Sequence, residues 1–295
     1  MRGRRIGIDL GGTKIEGAVI DEDGRPVVRE RVPTERERGS AHVLDRVAAL
    51  VDRLRPQAPE AAVVGVGAPG SPSARDGTLK NSNTTCLNGR PLRADLEARL
   101  GCTVRLENDA NCFALAEARG GAGRGHRVVF GVILGTGVGG GIVVDGRLWA
   151  GPQHIAGEWG HQAIDPAGPA CWCGQRGCVE AFLSGPALAA AYRAAGGAAV
   201  EAPEVLGRAA AGEARAAAVV DRWLDRFGRA LANVIDVLDP DVVVLGGGLS
   251  NVDALYDRGR AAVARYVFND ELRTPIVRHR LGDSAGVIGA ALLGA

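Results

Sequence analysis

The sequence predicts an α/β fold made of two related halves. The first observation is a repeat. From Gly7 the chain reads G-I-D-L-G-G-T-K-I-E-G-A-V-I-D-E-D-G-R, and from Gly131 it reads G-V-I-L-G-T-G-V-G-G-G-I-V-V-D-G-R. Each copy is an apolar strand, a Gly/Thr loop, a second apolar strand and an Asp-Gly turn of the kind that closes hairpins. The second observation is the alternation of short apolar runs with helical spacing after the first copy. The third is size: 295 residues, 46% of them hydrophobic, suit one large domain or two ordinary ones with a real core. Aromatics are only 4%, so aliphatic residues and Ala must fill that core.

Taken in order, Arg5–Leu10 and Ile15–Asp21 read as strands, and Pro26–Val32 pairs with them after the Asp23-Gly24 turn. Ala41–Leu54 has helical spacing, and Ala62–Val66 is a short buried strand. Val104–Leu106 is a strand ending at Glu107, followed by a helix over Asn111–Ala118. Val128–Leu134 opens the second copy. Pro186–Ala194 and a long Ala-rich stretch from Pro203 to Leu238 read as helical. Asp241–Leu245 is a buried strand stopped by Gly246-Gly247-Gly248; a helix over Val252–Tyr266, a strand near Pro275–His279 and a small-residue helix over Gly286–Leu293 follow. The expected boundaries are a small domain over 1–110, completed by 284–295, and a larger one over 111–283, with a hinge near 108–125.

A net charge of +1 gives no argument for a nucleic-acid or membrane partner. No apolar run approaches the roughly 20 residues of a membrane span, and the chain enters a strand at once after Met-Arg-Gly-Arg-Arg. The expectation is a cytoplasmic protein. Among 35 basic residues only Lys14 and Lys80 are lysine. Three of the six cysteines lie within 171–178, and in a cytosolic chain such clustering favours metal over disulfide.

Four stretches carry chemistry. A Gly-rich loop between strands lets backbone N–H groups approach an anion that a Cβ would obstruct. In Asp9-Leu10-Gly11-Gly12-Thr13-Lys14, the two glycines and Thr13 would offer donors to phosphate oxygens, and Asp9 would hold Mg²⁺ directly or through water. The competing reading is a tight hairpin with Asp9 as turn former. A second such loop suggests two halves facing each other across a nucleotide. In Glu107-Asn108-Asp109-Ala110-Asn111, Asp109 stands between strand and helix, where a carboxylate can take a hydroxyl proton as that oxygen attacks phosphorus; equally, Asn108 or Asp109 can simply cap the helix. His161 with Cys171, Cys173 and Cys178 makes a Cys₃His set suited to structural Zn²⁺, against a disulfide or free thiols. Glu158 and Glu180 flank it and could accept hydrogen bonds from sugar hydroxyls. Leu245-Gly246-Gly247-Gly248 ends a buried strand, where an adenosine could lie on backbone.

The order and spacing of Asp9–Lys14, Glu107–Asn111, Leu134–Gly141, Gly157–His161, Cys171–Glu180 and Asp239–Gly248 resemble the ROK family of sugar kinases over nearly the whole chain. The resemblance implies the actin-like ATPase fold, two ribonuclease-H-like halves around a nucleotide and sugar cleft. It implies Asp109 as general base, Asn83, Asn108, Glu158, His161 and Glu180 as sugar contacts, and His161, Cys171, Cys173 and Cys178 as zinc ligands. Gly11, Gly12, Thr13, Lys14, Thr136 and Gly137, with Asp9, are implied on the ATP phosphates and Mg²⁺, and Gly247 and Gly248 near the adenosine. A homodimer is implied as well. The family also holds transcriptional repressors with a DNA-binding segment ahead of this loop; with the loop beginning at Asp9, that reading is not expected.

For the sugar, Lys80–Gly89, Leu249–Tyr256, Phe268, Thr274-Pro275 and Gly282–Gly286 look most like bacterial fructokinases that also accept mannose. N-acetylglucosamine kinases come next, on Pro91–Leu96 and Asn108–Ala116, and glucokinase third. The expected reaction is therefore ATP-dependent phosphorylation of the 6-hydroxyl of fructose, with N-acetylglucosamine or glucose as alternatives. A few hydrogen bonds separate these substrates.

Overall fold

A computed structural model describes residues 3–294. In chain order its strands and helices are β1 (Arg5–Leu10), β2 (Lys14–Ile20), β3 (Pro26–Pro33), α1 (Ser40–Leu54), β4 (Val63–Ala68), β5 (Ser71–Pro72), β6 (Leu79–Lys80), α2 (Leu92–Leu100), β7 (Thr103–Asn108) and α3 (Asp109–Gly120). There follow β8 (Val128–Leu134), β9 (Val138–Val144), β10 (Arg147–Leu148), α4 (Glu180–Leu183), α5 (Gly185–Ala194), α6 (Ala202–Ala210) and α7 (Ala214–Leu238). The chain ends with β11 (Val242–Gly246), α8 (Arg258–Tyr266), β12 (Ile276–Arg278) and α9 (Ala285–Leu292). No described helix is long and apolar enough to cross a membrane.

The repeat becomes two five-stranded sheets of matching order, β3-β2-β1-β4-β7 and β10-β9-β8-β11-β12. In the first, β1 and β2 pair antiparallel around the Gly11–Thr13 loop, while β4 and β7 run parallel to β1. In the second, β8 and β9 flank the Gly135–Gly137 loop, and β11 and β12 run parallel to β8. Parallel strands need crossovers, which α1, α2 and the helices of 180–266 supply.

Packing divides the chain into two compact units. The first holds 1–125, 141–157 and 280–295, the second 126–140 and 158–279. This places α3 with the first unit, rather than beyond the expected boundary at residue 110, because α3 packs along α9. The final helix packs on the first sheet: a Cβ on Gly65 would lie 1.7 Å from Ala290 O, so β4 and α9 meet backbone to backbone. The first core is aliphatic: Ile6, Ile8, Val64 and Val66 from the sheet meet Val47, Leu50 and Leu54 of α1 and Leu96 of α2.

Three helical readings differ in detail. The long helix expected from Pro203 breaks into α6 and α7 at Gly212, whose φ of 88° lies in the left-handed region that glycine favours. The helix expected from Val252 starts at Arg258, capped by the Asp257 carboxylate, and the residues before it form short 3₁₀ turns. Helix α2 carries little amphipathic signal, and the sequence reading did not include it.

Candidate active site

In the first unit the chemistry collects at the carboxyl ends of parallel strands, where open α/β sheets place ligands. Asp9 on β1 pairs with Gly67 on β4, and Gly67 pairs with Glu107 on β7, so the three strand ends are in register. Asn108 and Asp109 follow at the start of α3. The Gly11–Thr13 loop is pinned by the buried Thr34, whose hydroxyl donates to Gly11 O and whose N–H donates to Thr13 O. Asn108 is the N-cap of α3: its side-chain oxygen accepts from Ala110 N at 2.8 Å and Asn111 N at 3.4 Å, and its amide donates to Gly70 O. The capping reading therefore belongs to Asn108, which leaves Asp109 as the first residue of the helix.

Asp109 is half-buried by surface, yet burial pushes its carboxyl up against the pull of the Ala110 N–H. Burial, then the neighbouring Asp109 and Glu16 charges, push the Asp9 carboxyl up to about 7, against Lys14 and Arg31. Such a crowded carboxylate gains from a divalent cation, so the donor set fits Mg²⁺ at Asp9. Asp9 also lies against the first turn of α9, where a Cβ on Gly286 would stand 2.8 Å from its Oδ2. Asn83 is exposed beside the same loop: its Oδ1 and the Arg36 guanidinium lie within 3.6 Å of the point a Gly12 Cβ would occupy.

In the second unit the Thr136–Gly137 loop closes through Gly135 N–H donating to Gly137 O. Glu180, at the start of α4, holds it: one carboxylate oxygen accepts from Val138 N at 2.9 Å, the other from the Trp172 indole N–H. Gly247 lies over the end of β8, and Gly248 has open space where a Cβ would point. Gly157–His161 is fixed to the same sheet. The buried Trp159 donates its indole N–H to Gly139 O, and a Cβ on Gly160 would fall 2.0 Å from Val138 O. Glu158 and His161 therefore flank a segment locked to β9.

His161, Cys171, Cys173 and Cys178 converge, with all their ligand atoms within 4.8 Å of one another. Cys173 and Cys178 Sγ are 3.7 Å apart, as are Cys171 Sγ and His161 Nδ1. A tetrahedron with metal–sulfur bonds of about 2.3 Å has edges of about 3.8 Å, whereas a disulfide needs about 2 Å, so the donors fit zinc. The scattered Cys86, Cys102 and Cys112 are free thiols outside this set.

A family model described as "ROK family" matches residues 5–295. The chain belongs to the ROK family. It is 40% identical over 97% of its length, and 98% of the relative's, to a protein named "N-acetyl-D-glucosamine kinase" from Photobacterium profundum. A protein of the same name from Salmonella typhimurium is 41% identical over the same shares. Among solved structures, a ROK hexokinase from Thermus thermophilus superposes with a TM-score of 0.87 at 36% identity, covering 98% of this chain and 97% of that one. A ROK glucokinase from Streptomyces griseus, solved with glucose and AMPPNP, superposes at 0.83 with 31% identity and 99% coverage of both. The fold is the actin-like ATPase fold of these sugar kinases, and the comparisons support an ATP-dependent sugar kinase. The finer likeness to fructokinases finds no such support: the curated relatives named here are N-acetylglucosamine kinases.

Sequence reasoning missed the neighbours that hold these groups. Trp172 on Glu180, Thr34 under the first loop and Gly286 beside Asp9 are meetings of distant segments that no local pattern announces.

Proposed function

We propose that the chain transfers the γ-phosphoryl group of MgATP to the 6-hydroxyl of N-acetylglucosamine. The observation that carries the sugar is the 40% identity along nearly the whole chain to a protein of that name. Fructose, expected from the residues around Asn83 and Leu249, gives way to it. The chemistry rests on Asp109, a carboxyl raised by burial at the helix start next to the strand ends of Asp9 and Glu107.

In this reading the Gly11–Thr13 loop with Lys14 and the Thr136–Gly137 loop donate to the phosphates, and the adenosine rests against Gly247 and Gly248. Asp9 would hold Mg²⁺, which supplies charge neutralisation on the phosphate oxygens. The 6-oxygen attacks the γ-phosphorus, its proton passes to a carboxylate oxygen of Asp109, and the bond to the bridging oxygen of ADP breaks. Asn83, Asn108 and Glu158 take ring hydroxyls. His161 turns Nδ1 toward Cys171, which leaves Nε2 as its donor to the sugar. Glu180 has both oxygens engaged, but a carboxylate has about four acceptor sites, so it can still accept a hydroxyl. Cys171, Cys173, Cys178 and His161 would hold a structural zinc that fixes this loop. The family likeness supports a homodimer, which light scattering tests.

The test is the product. Incubation with MgATP and N-acetylglucosamine should give a phosphate coupled to carbon 6 in the NMR spectrum; phosphate on another oxygen, or none, contradicts the reading.

A further inference from the structure

We propose that the opposite end of the first sheet carries a second binding site, for a small phosphate anion of multiple charge. A groove of about 730 Å³ lies there, within the range of ligand pockets. Arg5, Arg25, Arg119 and Arg124 line it, opposed by Glu22 and Asp23. Ile288 and Leu292 of α9 contribute its apolar floor.

Its distance from the proposed reaction follows from topology. Arg5 opens β1, whereas Asp9 stands near its other end; four residues at about 3.3 Å separate them by about 13 Å. Arg119 is in the last turn of α3, and Asp109 begins that helix, about 15 Å away at 1.5 Å per residue. The hairpin turn after β2 brings Arg25 to the same end.

Of the four arginines, Arg25 alone has an acid within ion-pair distance among the described residues. Asp23 reaches Arg25 at 3.4 Å, and both are largely exposed. Among the described residues, no carboxylate forms an ion pair with Arg5, Arg119 or Arg124. Burial, with the like charges of Arg5 and Arg147, pushes the Arg119 guanidinium below its usual range. Its Nε donates to Gly146 O, which fixes its direction. The C-terminal dipole of α3 favours cations here, but it accounts for one turn and not for Arg5 or Arg25.

The walls are also rigid. Glu117, wholly buried, accepts from Ala122 N, Arg280 N and Leu281 N. It thereby ties the loop that carries Arg124 to Leu281, another lining residue. A preformed set of guanidinium groups over an apolar floor suits phosphate oxygens, which several arginines can share. The inference does not depend on the proposed reaction.

The test is calorimetric titration of the full chain with inorganic pyrophosphate, without magnesium and at low ionic strength. Pyrophosphate should also visit the Gly11–Thr13 loop, so wild type should show two binding events. Arg124→Glu, an exposed change, should weaken one of them about tenfold or more and leave the other event, the melting temperature and basal turnover intact. Arg5→Ala should weaken the same event. Unchanged binding in Arg124→Glu would overturn the proposal. So would loss of self-association in that variant with binding unchanged, which would mark the groove as an interface between copies.

Discussion

Asp109 can take a proton only while ionised, and burial makes that ionisation costly. Its raised pKa moves the acid limb of kcat/KM above the pH of an ordinary carboxylate, so turnover should fall as pH drops through that raised value. Asp109→Asn should fold and keep sugar binding, lose about 10²–10⁴ in kcat and lack the acid limb. Initial-rate profiles of both proteins check this; a retained limb would assign it to another group. Asp9 carries the opposite lesson for stability. Its carboxyl rises from 3.8 to about 7 on folding, so the native state binds a proton that the unfolded chain has released between about pH 4 and 7. Stability therefore declines as pH rises through that window. Metal-free Asp9→Asn should melt above wild type near pH 8, with the gain shrinking toward pH 4, and should lose MgATP turnover. Both aspartates were legible from their place between strand and loop or helix. Their crowding was not, because it comes from β1, β2 and α3 meeting, and no local pattern encodes that meeting.

At the scale of elements, the Gly157–Cys178 stretch is built from contacts more than from secondary structure. Gly160→Ala would drive a Cβ to 2.0 Å from Val138 O. The backbone must shift, which should cost about 1–3 kcal/mol in denaturant unfolding and lower kcat/KM by displacing Glu158 and His161. Cys173→Ser should lose zinc by elemental analysis and melt like chelator-treated wild type, because one missing thiolate opens the tetrahedron. Unchanged metal content and melting would remove zinc from the account. The meeting of His161 with the three cysteines was readable from their spacing, and Gly174 and Gly177 adopt the left-handed turns a tight knuckle needs. Glu180 was read as a sugar contact beside that set, not as a support of the second loop. Its hold on Val138 N and Trp172 joins the knuckle to the Thr136–Gly137 loop, and it exists only once α4 and β9 are packed. The element boundaries that moved, at Gly212 and Arg258, moved where capping and glycine outweighed helical composition.

For the whole molecule, the duplicated strand–loop–strand unit carried the fold, because each copy specifies its own five-stranded sheet. The sugar was not legible in the same way. Fructose is a ketose and N-acetylglucosamine an aldose with an acetamido group, and the residues that tell them apart do not form a motif. Whole-chain similarity speaks where motifs do not: the relatives it finds are named N-acetylglucosamine kinases, and the proposal of that sugar rests on them. The measurement that decides is the initial rate of ADP release with MgATP over N-acetylglucosamine, fructose, mannose, glucose and N-acetylmannosamine. The account predicts the highest kcat/KM for N-acetylglucosamine, by tenfold or more over fructose, about the worth of one or two well-placed hydrogen bonds. A preference for fructose would contradict it.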